Sequence, residues 1–257
     1  MLLLIDVGNT NIVMGVYDGQ ELVRSWRLRT ERNATEDEFF FLTTGLFNNG
    51  GISAAALDTT VISCVVPPMT NILDAFCRKY LNHAPHWVDA RSYREMPVLC
   101  DNPAEVGADR IVNAVGAYHK YRSSLIVVDF GTATTFDAIS QRGEYLGGAI
   151  SPGIVIAAEA LALKASKLPR VELLKPPRHV IGKNTIHSMQ SGLIFGYAAL
   201  VDGMVARMKA ALEPPVKVVA TGGQARLIAE VAESIDSEEP QLTLEGLRII
   251  SRAMVGV

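Results

Sequence analysis

A chain of 257 residues, 49% apolar and 20% charged, is long enough for one large α/β domain or two smaller ones with real cores. Its net charge of −3, with no block of like charge, argues against a dedicated nucleic-acid surface, which needs a concentrated basic face. Cys64, Cys77 and Cys100 form no C-x-x-C pair; they argue against a zinc site, fit a reducing cytoplasm and read as small buried apolar side chains.

The first apolar run, residues 2–6, lacks the basic start and the length of a signal peptide and reads as a strand. Residues 12–17 follow after a Gly/Asn/Thr turn and residues 21–29 alternate, so adjacent strands joined by short turns are predicted. Residues 35–46 read as a helix opened by Thr35, with Glu38 three places on. A β-branched strand at 60–66 ends in Pro67-Pro68, and residues 69–80 are predicted helical, 86–88 a short strand and 104–118 a helix. Strands at 125–129, 135–139 and 144–150 come next, then helices at 154–162 and 185–211, a strand at 217–220 and a helix at 224–232. The most apolar later stretch, 147–163, holds Pro152, Gly153 and Glu159 and is no clean membrane span.

The pattern restarts halfway along the chain. Leu3-Leu4-Ile5-Asp6-Val7-Gly8-Asn9-Thr10 aligns with Ile126-Val127-Val128-Asp129-Phe130-Gly131-Thr132-Ala133: strand, Asp, apolar residue, Gly, then small polar residues. A repeat of this length predicts two duplicated α/β halves, residues 1–120 and 121–257, with a cleft between them.

Each copy has the makings of a phosphate site. An Asp closing an apolar strand sits at the strand's edge, and Gly lets a phosphate approach the backbone. Asn9, Thr10, Asn11, Thr132, Thr134 and Thr135 add hydroxyls, amides and backbone N–H groups, a nest that binds anions without a lysine. An adjacent carboxylate can hold Mg²⁺ directly or through water. The sequence has neither G-x-x-x-x-G-K-[ST] nor G-x-G-x-x-G, which disfavours a P-loop kinase. A third element, Lys217-Val218-Val219-Ala220-Thr221-Gly222-Gly223, is a strand running into glycines before a helix, whose N-terminus is mildly positive.

These paired loops resemble the acetate-kinase/hexokinase/actin superfamily, which implies two actin-like (RNase H-like) domains clamping ATP. The full set is narrower: D-x-G-N-T-N from Asp6, N-P-x-x-V-G-A-D-R from Asn102, D-F-G-T-A-T-T-x-D from Asp129, G-G-x-I-x-P-G from Gly147 and T-G-G from Thr221. In this order it resembles type III pantothenate kinase, also named Bvg accessory factor. The resemblance implies transfer of the ATP γ-phosphoryl group to the hydroxyl of pantothenate, the first step to coenzyme A. It makes Asp109 the general base and places Gly107, Ala108 and Arg110 in the pantothenate pocket, the guanidinium facing the substrate carboxylate. It assigns the first phosphate loop to Asp6, Val7, Gly8, Asn9, Thr10, Asn11, Ile12 and Val13, with Asp6 on Mg²⁺. It puts Asp129 on a monovalent cation, K⁺ or NH₄⁺, Thr132 on ATP, and Gly222 and Gly223 at the adenosine. It also implies a homodimer in which Thr185 reaches the neighbouring subunit's substrate. Read from the residues alone, Thr185 is a helix N-cap. Members usually carry a tyrosine on pantothenate where this chain has Cys100, so the pocket wall is expected to differ there.

Other readings compete. A sugar kinase or polyphosphate hydrolase fits the same fold, but the G-A-D-R motif favours pantothenate. A non-catalytic nucleotide-binding regulator fits the accessory-factor name, but Asp6, Asp109 and Asp129 are all in place and a basic stripe for DNA is missing. The five histidines show no metal spacing, Arg170 and Lys183 read as solvated cations, and Asp137 is open between a structural and a supporting role.

Overall fold

The computed structural model of the chain describes residues 1–256. It divides into two compact units: Met1–Glu95, Asp101–Gly116 and the chain from Thr243 onward form the first, and Met96–Cys100 with Ala117–Leu242 the second.

In the first unit, β1 (Leu2–Val7), β2 (Asn11–Asp18) and β3 (Glu21–Arg29) form an antiparallel meander. β4 (Thr59–Cys64) pairs in parallel with β1, and β5 (His86–Trp87) with β4, giving the order β3-β2-β1-β4-β5. Alternation puts Leu3, Ile5 and Val7 of β1 beside Ile12, Met14 and Val16 of β2 in one core. Covering that core are α1 (Glu36–Asn49) and α2 (Pro67–Phe76), through Phe39, Phe47, Met69, Leu73 and Phe76. The capping pattern at Thr35 is realised: its hydroxyl accepts the Glu38 N–H at 3.2 Å, and the Glu38 carboxylate accepts the Thr35 N–H at 2.8 Å. Pro67-Pro68 opens α2, two residues before the predicted start, because a proline in the first turn forfeits only an N–H that has no helical partner. β4 accordingly stops at Cys64.

The second unit repeats the plan. β6 (Ser124–Phe130), β7 (Ala133–Ile139) and β8 (Tyr145–Pro152) form the meander; β9 (Val216–Thr221) adds in parallel to β6, and β10 (Ser237–Glu238) to β9. Its order, β10-β9-β6-β7-β8, is that of the first sheet read from the other edge. Register makes the equivalence specific: Asp6 stands opposite Val13 and Ser63, and Asp129 opposite Thr135 and Thr221. The fold is α/β, with two copies of the actin-like sheet.

α4 (Ile154–Lys164), α5 (Thr185–Lys209) and α6 (Ala225–Ala229) cover one face of the second sheet. By length and composition alone α5 could cross a membrane, but Leu193, Ile194, Tyr197, Val201 and Val205 lie in this unit's core.

Three expectations change. α3 (Ala108–Tyr121) starts later than predicted, because Pro103–Glu105 forms a separate 3-10 turn, and the two units divide within it. A single cut between residues 120 and 121 therefore does not describe the units. Nor does the pattern reading reach β10 or α7 (Leu242–Val255), and α7 returns to the first unit. α7 fits there because Gly15 leaves room for Leu244 against β2 and Gly246 lies directly on the Val112 carbonyl. Thr243 Oγ1 donates to Asn113 at 2.8 Å and the Tyr17 hydroxyl donates to Glu245 at 2.9 Å.

Candidate active site

Asp6 lies at the carboxyl end of β1, where open α/β sheets bind ligands. The turn after it is tight: the Gly8 N–H donates to the Asn11 carbonyl at 3.0 Å. Thr30 fixes it from β3's exit, its hydroxyl donating to the Gly8 carbonyl at 2.6 Å and its N–H to the Thr10 carbonyl at 3.0 Å. Arg32 meets the Asn9 side chain. Asn9 and Thr10 are exposed and Asn11 and Val13 half-buried, whereas Val7 and Ile12 are core residues that have only backbone to offer a ligand. Beside Asp6 on the same face of the sheet, Ser63 is fully buried, and its hydroxyl has no hydrogen-bond partner.

Gly107 opens α3. Its carbonyl accepts the N–H groups of Arg110 at 3.1 Å and Ile111 at 3.3 Å. Asp109 turns back on this start, its Oδ1 accepting the Arg110 N–H at 2.8 Å. A side chain on Gly107 would lie 2.5 Å from that carboxylate oxygen and would push it aside. Such a Cβ would also stand 3.6 Å from Val65, just past the end of β4, which places the motif by the carboxyl end of the β1–β4 pair. Burial pushes the Asp109 carboxyl above its ordinary range, against the opposing pull of Arg110's N–H and charge. Ala108 is buried and Arg110 half-buried.

In the second unit three segments converge at the carboxyl ends of β6 and β9. Asp129 closes β6, and the Gly131 N–H donates to the Ala133 carbonyl at 3.0 Å in the turn behind it. Gly222 takes φ +95, and a Cβ there would run into the Asp129 carboxylate and the Phe130 backbone. The Gln224 N–H donates to the Phe130 carbonyl at 3.3 Å, tying the glycine turn to the Asp129 loop. Gly153, which leads into α4, donates its N–H to the Thr132 carbonyl at 3.1 Å and has no space for a side chain. Its part, like that of Ser63, is missing from the sequence-derived site; the G-G-x-I-x-P-G run carried the signal for it. Thr132 is half-buried, and Gly222 and Gly223 are exposed. A cavity of about 440 Å³ reaches Gln224, the residue after Gly223, and is lined also by Val155, Glu159 and Arg170.

Thr185 is exposed and is the first residue of α5, not its cap. Asn184 caps the helix from the preceding position, its side-chain oxygen accepting the His187 N–H at 2.8 Å. Cys100 is half-buried at the end of the Met96–Cys100 segment, 3.7 Å from where a Gly147 side chain would stand. Cys77 is buried, which pushes its thiol up to about 12, and burial also raises that of half-buried Cys64. Among the described residues no group of three or more His, Cys, Asp or Glu side chains could hold a metal unaided. The donor set fits Mg²⁺ all the same: Asp6, Ser63 and the turn present hard oxygen ligands, and Mg²⁺ takes one or two carboxylates and completes its shell with water and phosphate oxygens.

A sequence model of the type III pantothenate kinase family matches residues 2–207. A protein of Desulfatibacillum aliphaticivorans named type III pantothenate kinase is 63% identical over 250 residues, 97% of each chain. Among solved structures, a Campylobacter jejuni protein assigned to the Baf family is 18% identical at a TM-score of 0.61, covering 99% of this chain and 100% of that one. ROK hexokinase from Thermus thermophilus is 14% identical at 0.50, covering 97% of each. These two likenesses concern the fold alone.

Proposed function

The chain belongs to the type III pantothenate kinase family and carries out ATP-dependent phosphorylation of pantothenate in coenzyme A biosynthesis, and from that premise we propose which residues perform the reaction. Asp109 is the general base that takes the proton of the attacking hydroxyl. The observation that carries this is its position, folded against Gly107 at the start of α3 with a carboxyl whose pKa burial raises toward the working pH of a base. Arg110 pairs with the pantothenate carboxylate, and the backbone at Gly107 and Ala108 lines the same pocket. Cys100 forms part of its wall.

The turn from Asp6 to Val13 holds ATP phosphates through backbone N–H groups and the side chains of Asn9, Thr10 and Asn11. Asp6 holds Mg²⁺, which neutralises phosphate charge during transfer. Asp129, packed against Gly222, holds K⁺ or NH₄⁺, and Thr132 contacts the nucleotide. The exposed Gly222-Gly223 turn, next to the cavity at Gln224, takes the adenosine.

The active protein is a homodimer, with Thr185 contributing to the neighbouring subunit's substrate site. Large apolar side chains near the start of α5 and the end of α4 support this: Leu163, Leu174 and Ile181 are 80%, 81% and 78% exposed. The enzyme works in the cytoplasm, in keeping with three cysteines that form no disulfide, and engages neither nucleic acid nor membrane.

The test is ADP release from Mg-ATP, with and without pantothenate, in K⁺ buffer and then in Na⁺ buffer. Pantothenate-dependent ADP is expected in K⁺ and its loss in Na⁺; full activity in Na⁺ would remove the cation from Asp129. Asp109→Asn is expected to lower kcat by roughly 10²- to 10⁴-fold with ATP binding retained. A variant that kept most of its kcat would end the base assignment.

A further inference from the structure

The second unit buries a carboxylate that this reaction scheme leaves without work. Asp137, on β7, has no exposed surface, and its strand neighbour Val127 is fully buried. A charge is retained in such a place when it is bonded on all sides. Two hydroxyls bond this one: Tyr145 donates to Oδ1 at 2.5 Å and Thr135 to Oδ2 at 3.1 Å. Only a carboxylate can accept from a hydroxyl on each oxygen; an asparagine offers one such acceptor.

Both donors matter by what else they hold. Thr135 stands directly opposite Asp129 in the β6–β7 register. Tyr145, also fully buried, carries the Met96–Cys100 segment on its backbone: its N–H donates to the Pro97 carbonyl and its carbonyl accepts the Leu99 N–H, each at 2.8 Å. The next residue is Cys100, beside Gly147 of β8. A continuous chain of bonds thus runs from the strand position paired with Asp129, through Asp137 and Tyr145, to the segment that ends in Cys100.

We infer that Asp137 is a positioning residue for the acceptor substrate: through Tyr145 it fixes the 97–100 segment and so the wall that Cys100 presents to pantothenate. This rests on the placement of Cys100 in that pocket. Asp137→Asn costs one of the two bonds and Tyr145→Phe breaks the chain at its middle, and neither alters a side chain assigned to the substrates.

The experiment uses both variants of the full-length enzyme, with two readouts. One is the rate of Cys100 alkylation by iodoacetamide, resolved by peptide. The other is the split between kcat and the two KM values. The expected result is a pantothenate KM about tenfold higher with kcat and the ATP KM within about twofold, and faster labelling of Cys100. Proportional loss of active enzyme with both KM values unchanged would leave Asp137 a purely structural residue and overturn the inference, as would unchanged labelling in folded variants. Faster labelling with an unchanged pantothenate KM would remove Cys100 from the pocket instead, and the role of Asp137 in the reaction with it. Should Tyr145→Phe fail to fold, Asp137→Asn alone carries the test with the same two readouts, and Asp137→Glu, which keeps two acceptor oxygens, is expected to recover part of the pantothenate KM.

Discussion

As the proposed base, Asp109 would work only when ionised, so activity is expected to fall on the acid side as it takes up its proton. Because burial raises its pKa, that limb of the pH–rate profile is expected above the ordinary carboxylate range. The same shift sets a slope in stability. The folded state keeps this proton to higher pH than the unfolded state, so the residue's contribution to stability falls as pH rises from the unfolded value through the folded one. Thermal melts across that window should therefore lose this slope in Asp109→Asn; a slope shared by variant and parent would show that burial leaves the group unperturbed.

Gly222 offers a second local test. It adopts φ +95 and its missing Cβ would stand 2.6 Å from the Phe130 backbone nitrogen, so Gly222→Ala meets both strain and a clash with main chain that cannot step aside. A loss of about 2–4 kcal/mol and a raised ATP KM are expected. Gly19→Ala is the comparison, at φ +58 with open space around it, where strain of about 1 kcal/mol stands alone. Equal losses at the two sites would discount the contact with the Asp129 loop.

Among the elements, α1 is the one whose start the sequence announces most directly. Its capping box is exposed and bonded in both directions, so Thr35→Ala should cost about 1 kcal/mol, read as a lower melting temperature with activity intact. The β strands were legible for a similar reason: Leu2–Val7 and Ser124–Phe130 are continuous apolar runs because sheet and helices bury both of their faces. What escaped the sequence was set by contacts distant along the chain. β10 has only two residues and too little pattern to read, and the pattern reading stops short of α7, whose return to β2 and α3 no local spacing displays. At the site the motif residues were visible by type and order. The buried Ser63 hydroxyl and the bonds that Asp137 makes depend on register, which no local pattern displays.

For the assembled protein, the exposed apolar side chains make a prediction of their own. Ile181→Glu places a charge where Ile181 is 78% exposed, so it leaves the fold of one chain intact and penalises burial against a second copy. If the proposed dimer is built on this face, sedimentation should show a shift toward monomer, with a matching loss of activity. A variant that sedimented as the parent would move the interface elsewhere.

The return of α7 to the first unit also has a consequence for synthesis on the ribosome. The strands of that unit emerge first, yet the face of β2 at Gly15 waits for Leu244, more than two hundred residues later. The second unit, drawn almost entirely from Ala117–Leu242, is complete as soon as its own stretch has left the exit tunnel. A nascent chain therefore holds the sheet of the first unit open while that of the second closes, and a helix made after both seals the earlier one.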